Sequence, residues 1–299
     1  MPDVELSIII PSLNSLTIDR TLDSLRRQTW PLAGTEVIVV GLDDPALVKE
    51  DRLVRFVSTG KPACAAAARN IGMAEAKGQY FLFIDSDCVA EADWIEKLMA
   101  RHALGENVVA GGVAFGQGSY WALCDNVSRL HEFVASGEPR RLHYAPTLNL
   151  SVASEVAREV DGFNEGLHTG EDIDWTLRVV RLGYGIYFEP SALVHHSPDR
   201  NSFSVVTKYA AESGFNMAHV RLRYPDVLRT PFPLRHEAWL LTLAPVVSFY
   251  ATARIYFEHS SLLRYLHTVP IVYLTKVAWC LGAARRIRSM RRGGQLNER

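Results

Sequence analysis

Two carboxylates separated by one residue, Asp85 and Asp87, follow the apolar run Tyr80-Phe-Leu-Phe-Ile84. In extended chain, residues i and i+2 project to the same side, so both acids can face one site at the end of a strand. Paired carboxylates repel each other and resist ionisation unless a cation lies between them. A hard divalent cation, Mg2+ or Mn2+, suits them, above all one that also carries phosphate oxygens. The plain alternative is an acidic turn or an N-cap for the helix that follows.

Three further groups invite the same question. Glu171, Asp172 and Asp174 open a predicted helix whose apolar face reads Ile173, Leu177 and Val180. The helix dipole stabilises such acids by roughly 0.3–1 kcal/mol, but a helix start beside a cleft also suits a general base. His195 and His196 follow a predicted strand over 185–189. If the segment is extended one of them must point away, and an imidazole can then join the carboxylates as a metal ligand. Arg69 lies in an alanine-rich helix, where it is either a surface residue or a guanidinium aimed at phosphate oxygens. The chain has no GxGxxG after its first strand, no GxxxxGK[ST] and no GxSxG. That speaks against dinucleotide oxidoreductases, P-loop enzymes and serine hydrolases.

The elements that must position these groups alternate through the first 200 residues. Strands are predicted over 6–10 (stopped by Pro11), 36–40, 53–57 and 80–84, with helices over 17–28, 63–76 and about 93–102. Unbroken apolar strands between amphipathic helices indicate a mainly parallel α/β sheet covered on both faces. Ligands then bind outside the carboxyl ends of the strands. From about residue 201 the pattern changes. A helix over 203–223 is followed by breaks at Pro225, Pro231 and Pro233. Residues 238–253 carry no charge, and 265–284 carry only Lys276 before five closing arginines, at 285, 286, 288, 291 and 292.

Composition sets the outer bounds. With 299 residues, 48% hydrophobic and 22% charged, a folded core is expected and global disorder is excluded. The net charge of -1 gives no sign of nucleic-acid binding. It hides a cancellation between an acid-lined first part and an arginine-rich second part. Four widely spaced cysteines fit neither a zinc finger nor a disulfide scaffold. The first residues read as no signal peptide, so the cytoplasmic side is the expected location.

In this order the pieces resemble the inverting glycosyltransferases of family 2, which share the GT-A fold. The resemblance runs through Ser7-Ile-Ile-Ile-Pro-Ser-Leu-Asn14, Ala68-Arg-Asn-Ile-Gly72, Gly78 to Asp87, Asn149-Leu-Ser151, Gly162-Phe-Asn-Glu165, Gly170-Glu-Asp172 and His195-His196. It covers about residues 4–200, and no single motif carries it. It implies an α/β GT-A catalytic domain over 1–200, with a C-terminal helical apolar region over 201–299. The implied activity is metal-dependent transfer of a sugar from a nucleoside-diphosphate donor, uridine mildly preferred, with inversion; the apolar, arginine-closed C-terminal segment adds the expectation of a hydroxyl of a glycan or lipid-linked acceptor in cell-envelope polysaccharide synthesis. By that resemblance Asp85, Asp87 and His196 would hold Mn2+ or Mg2+. Pro11, Asn14, Asp43, Arg69 and Asp85 would bind the donor, Asp172 would be the base, and Glu171 would position the acceptor. One departure stands out: the family's acidic pair after the second strand comes two residues late here, as Asp43-Asp44.

The C-terminal region fits a helical hairpin in a membrane, helices lying on an anionic surface at the inner face of the cell membrane, or a soluble subdomain that covers the site or dimerises. A metal-dependent nucleotidyltransferase and a non-catalytic sugar-nucleotide-binding protein are the rival readings. The former would attack the α-phosphate and release pyrophosphate rather than a nucleoside diphosphate.

Overall fold

In a computed structural model, residues 4–115, 118–231 and 235–293 are described. Pro233 and the first three residues of the leader reading lie outside them. Two compact units form, Met1–Phe115 with Phe133–Pro198, and Gly116–Glu132 with Asp199–Arg299. The strands are β1 (Leu6–Leu13), β2 (Thr35–Leu42), β3 (Val54–Ser58), β4 (Tyr80–Ile84), β5 (Cys88–Ala90), β6 (Val108–Ala114), β7 (Arg140–Leu142), β8 (Asn149–Ala153) and β9 (Ile186–His196). The helices are α1 (Ile18–Arg26), α2 (Ala65–Glu75), α3 (Trp94–Ala103), α4 (Tyr120–Leu130), α5 (Ser154–Glu159), α6 (Glu171–Arg181), α7 (Phe203–Arg223), α8 (Glu237–Glu258) and α9 (Val269–Arg292).

The first unit is built on one sheet in the order β3-β2-β1-β4-β8-β6-β9-β5, with β7 also on β9. From β3 to β4 every pairing is parallel. Ile8, Ile9, Ile10, Val37 to Val40 and Phe81 to Ile84 are buried, which explains why these strands are apolar at consecutive positions rather than at alternate ones. Beyond β4, β8 runs antiparallel to both β4 and β6, while β6 and β9 are parallel.

Two expected strand ends move. β1 does not stop at Pro11 but continues to Leu13, with Pro11 opposite Val40. Its pairing with β4 ends at Ile9, so Pro11 is locally on an edge, where a missing donor is tolerated. β9 does not stop at Glu189 either. Its register against β6 jumps between Gly111 and Gly112, so that Glu189 and Leu193 face consecutive residues. This bulge absorbs Pro190, Ser191 and Ala192 and lets the strand run on to His196. Asn149 stitches it closed, donating from Nδ2 to the Gly112 and Ala192 carbonyls, both at 2.8 Å, and accepting from Trp94 Nε1 at 2.8 Å. The buried face of α6 also differs from the expected one. Glu171, Asp174, Trp175 and Val179 are buried with Leu177, whereas Ile173 and Val180 are only partly so.

The second unit is helical. α7 and α9 pack at near-contact of their backbones through glycine: a β-carbon at Gly214 would collide with Trp279, and one at Gly282 with Ala211. Ala218, Leu240, Ala244, Cys280, Ala283 and Ile287 form the core around this crossing. α4 joins it through Ser128, whose hydroxyl lies 2.9 Å from that of Thr275 and whose carbonyl accepts from Lys276 Nζ at 2.6 Å. The segments Glu237–Glu258 and Ser260–Arg292 are long and apolar enough to cross a membrane, by length and composition.

Candidate active site

β4 delivers Asp85, Ser86 and Asp87 beyond the carboxyl end of the parallel strands. The turn is fixed from below. The Ser86 carbonyl accepts three hydroxyls, from Ser15, Thr17 and Thr21, each at 3.1 Å. Nothing in the spacing of those hydroxyls marks them out, since Ser15 and Thr17 are ordinary loop residues before a helix and Thr21 lies within α1.

β5 then pairs antiparallel with the end of β9, placing Cys88 opposite His196 and Val89 opposite His195. Because β9 stays extended, the two histidines face opposite sides. His195 Nε2 lies 2.6 Å from Glu91 Oε1, while His196 Nε2 lies 3.6 Å from Asp87 Oδ1. The ligand atoms of Asp87, Cys88 and His196 all fall within 4.8 Å of one another. Burial, with Asp87 and Asp85 next to it, pushes the Cys88 thiol well up, and a soft sulfur is in any case a poor match for a hard cation such as Mg2+ or Mn2+. A carboxylate and an imidazole remain, a donor set that fits a hard or borderline divalent cation.

Asp85 is held differently. Arg69, on α2 and 3% exposed, donates from Nη2 to Asp85 Oδ1 at 2.7 Å and from Nη1 to Glu171 Oε1 at 2.8 Å. It is therefore neither a surface residue nor an unengaged phosphate ligand. It ties the acid at the end of β4 to the acid at the start of α6. Its neighbour Asn70 docks the segment before α6, donating to the Phe163 carbonyl at 3.0 Å and accepting from the Phe163 N–H at 2.7 Å. Below them Phe163 stacks on Trp175 with ring centres 4.9 Å apart, and the edge of Phe83 from β4 meets Phe163 at 5.7 Å. These contacts set the position of the α6 N-terminus.

At that terminus Gly170 has φ of +82°, a left-handed conformation that favours glycine. Glu171 is buried, and burial together with Asp172 pushes its carboxyl up to about 7, against the pull of Arg69. Asp172 is only partly buried and accepts from the Ile173 N–H at 2.8 Å. The two acids thus differ: Glu171 is enclosed against Arg69, whereas Asp172 keeps partial exposure.

On the β1 side, Asn14 (φ +53°) pairs reciprocally with Asp44, donating from Nδ2 to Oδ2 at 2.7 Å and accepting from the Asp44 N–H at 2.8 Å. Asp43 is committed elsewhere. Its two oxygens accept the Leu47 and Val48 N–H groups at 3.1 and 2.7 Å, so it caps its own loop. The structure brings together Asp85, Asp87, Arg69, Glu171 and His196. It leaves Asp43 folded back, and puts Pro11 inside β1 rather than in a turn.

Residues 7–123 match the family model described as "Glycosyl transferase family 2". The "Pre-mycofactocin glycosyltransferase" of Mycobacterium tuberculosis is 27% identical over 243 residues, 74% of this chain and 48% of the relative. "Glycosyltransferase AglE" of Haloferax volcanii is 27% identical over 202 residues, 64% of this chain and 66% of the relative. The chain thus spans about half to two-thirds of the length of these relatives. Among solved structures, S. aureus TarS in complex with UDP aligns with a TM-score of 0.52 at 16% identity, over 98% of this chain and 93% of that one. GalNAc-T7 with UDP, GalNAc and Mn2+ aligns with a TM-score of 0.52 at 17% identity, over 77% of this chain and 52% of that one. The fold is the GT-A fold.

Proposed function

We propose that this chain, whose residues 7–123 match the glycosyltransferase family 2 model and whose fold is GT-A, moves a sugar from a nucleoside-diphosphate donor to an acceptor hydroxyl with inversion. The observation that carries this reading is the meeting of the β4 acids with His196 and, through Arg69, with the α6 acids. Asp87 and His196 would hold a divalent cation, with Asp85 alongside. When bound, the cation neutralises charge that builds on the departing diphosphate.

The remaining work falls to the chain. Arg69 fixes the Asp85 carboxylate in one orientation, so the donor meets a preformed site. Asp172 takes the proton of the acceptor hydroxyl as that oxygen attacks the anomeric carbon from the face opposite the diphosphate. Glu171, locked to Arg69, cannot swing to the acceptor proton and serves to hold the acceptor side in place. UDP is the favoured nucleotide: it occupies both similar structures cited above, in agreement with the uridine preference from sequence. The acceptor class is a glycan or a lipid-linked glycan at a membrane surface, on the cytoplasmic side. What supports a surface is the second unit, where Val246, Phe249, Tyr250 and Phe257 on α8 are each more than 60% exposed.

Calorimetric titration of UDP with and without Mn2+ tests the core of this reading. Wild type should bind UDP more tightly with Mn2+, and Asp87→Ala should lose the metal-dependent part. Unchanged Mn2+ dependence in Asp87→Ala would sink the metal assignment. A panel of sugar nucleotides scored by thermal shift then identifies the donor sugar, and release of nucleoside diphosphate rather than pyrophosphate separates transfer of sugar from transfer of nucleotide.

A further inference from the structure

The second unit contains a cavity of about 220 Å3 among α7, α8 and α9 that the transfer reaction does not use. Much of its wall is apolar, with Leu222, Leu240, Val247, Trp279 and Ile287. Three cationic side chains, Arg221, Arg229 and Lys276, line it too, and among the described residues no Asp or Glu does. Bringing like charges to one apolar hollow is unfavourable without an anion to receive them.

The cationic groups are held in place. Arg221 donates from Nη1 to the Leu228 carbonyl at 2.8 Å, and its guanidinium lies 5.3 Å from the centre of the Trp279 ring. Lys276 donates to the Ser128 carbonyl at 2.6 Å, which uses one of its three N–H donors. Burial and the nearby Arg221 push the Lys276 ammonium down to about 8, a penalty that an anion would relieve. The Thr230 hydroxyl also lines the cavity, is buried, and has no hydrogen-bond partner among the described residues. Arg229 stands exposed.

We propose that this cavity binds the phosphate headgroup of a membrane lipid, with the first carbons of the chain lying along Leu222, Val247 and Trp279. Phosphate matches three cations and a spare hydroxyl donor. A lipid accounts for the rest, because a bare phosphate ion would leave the apolar wall hydrated. Charge on a larger scale agrees. The second unit carries 16 Lys and Arg against 8 Asp and Glu, whereas the first carries 16 against 25. The second unit is the part of the chain suited to an anionic surface. The inference shares the membrane-surface element of the proposed function but not its chemistry, so UDP binding serves as an independent control.

The test is calorimetric titration of the full chain, free of detergent, with n-decyl phosphate below its micellar concentration, with decanol, and with inorganic phosphate. Decyl phosphate should bind at least tenfold more tightly than either of the others. Arg229→Gln and Lys276→Gln should each weaken it about tenfold or more, as loss of a charge-assisted hydrogen bond does. Mn2+-dependent UDP binding should be unchanged in both variants, and their helical circular dichroism and thermal melting should match wild type, which reports that the second unit folds. Equal binding of decanol would overturn anion recognition, and equal binding of inorganic phosphate would overturn the lipid. Absence of decyl phosphate binding, or indifference to both substitutions, would overturn the site itself.

Discussion

Arg69→Met should destabilise the protein by an amount that grows with pH. The guanidinium is buried at 3% exposure and closes two ion pairs, 2.8 Å to Glu171 and 2.7 Å to Asp85. Methionine keeps most of the side-chain volume, so the loss is chiefly electrostatic: two carboxylates without their cation. Removing one partner of a buried pair costs about 3–5 kcal/mol. The lower end, about 3 kcal/mol, applies at neutral pH for two reasons. The Asp85 side chain keeps 29% exposure and some hydration, and Glu171 can take up a proton rather than remain charged.

That proton sets the pH dependence. In wild type the Glu171 carboxyl is already raised to about 7 from 4.5, with burial and Asp172 outweighing Arg69. Without Arg69 it rises further. A carboxyl raised in the folded state favours folding at low pH and withdraws that favour as pH rises from its unfolded to its folded value. Wild type therefore completes this loss near pH 7, while the variant continues to lose stability above it, by at most about 1.4 kcal/mol per pH unit. Urea unfolding at constant ionic strength without metal, at about pH 6, 7 and 8.5, reads the difference. A difference below about 1 kcal/mol, or one that is flat across that range, would refute the argument that Arg69 acts through the charge of Glu171.

Three further outcomes follow from the same geometry. Asp172→Asn should retain UDP and Mn2+ binding while kcat falls by about 10²–10⁴, the usual contribution of a positioned base; turnover within a factor of a few would move that role to another residue. His196→Ala should weaken Mn2+-supported UDP binding by about tenfold or more, as loss of a ligand does, whereas His195→Ala, on the Glu91 side of the strand, should leave it unchanged. Gly170→Ala forces a β-carbon into φ of +82° and should cost about 1–2 kcal/mol in urea unfolding; a neutral result would mean that the α6 N-terminus can relax without penalty.

Elements were legible in the sequence wherever one period ruled a segment. β4 runs from Tyr80 to Ile84 and α7 from Phe203 to Arg223, as the sequence pattern predicts. What resisted reading was parity and partnership over distance. Pro190 looks like the end of a strand, and only the bulge across from Gly111 shows that β9 goes on. That continuation sends His196 and His195 to opposite faces. Asp43 and Asp44 look interchangeable until the loop closes, with Asp43 on its own backbone and Asp44 on Asn14.

The role of Arg69 is not legible in the sequence, because its partners lie 16 and 102 residues away and no periodicity points to either. Its burial is nevertheless informative once seen. An ion-paired cluster gains little over an apolar one of the same volume, because desolvation of the charges offsets most of their attraction. Stability alone would then not place an arginine between Asp85 and Glu171, where apolar side chains such as Phe83, Phe163 and Trp175 pack close by. A rigid link between Asp85, proposed to lie beside the donor, and Glu171, proposed to lie beside the acceptor, is something an apolar contact cannot supply. On that ground the buried arginine, more than either acid motif, marks this end of the sheet as a working site.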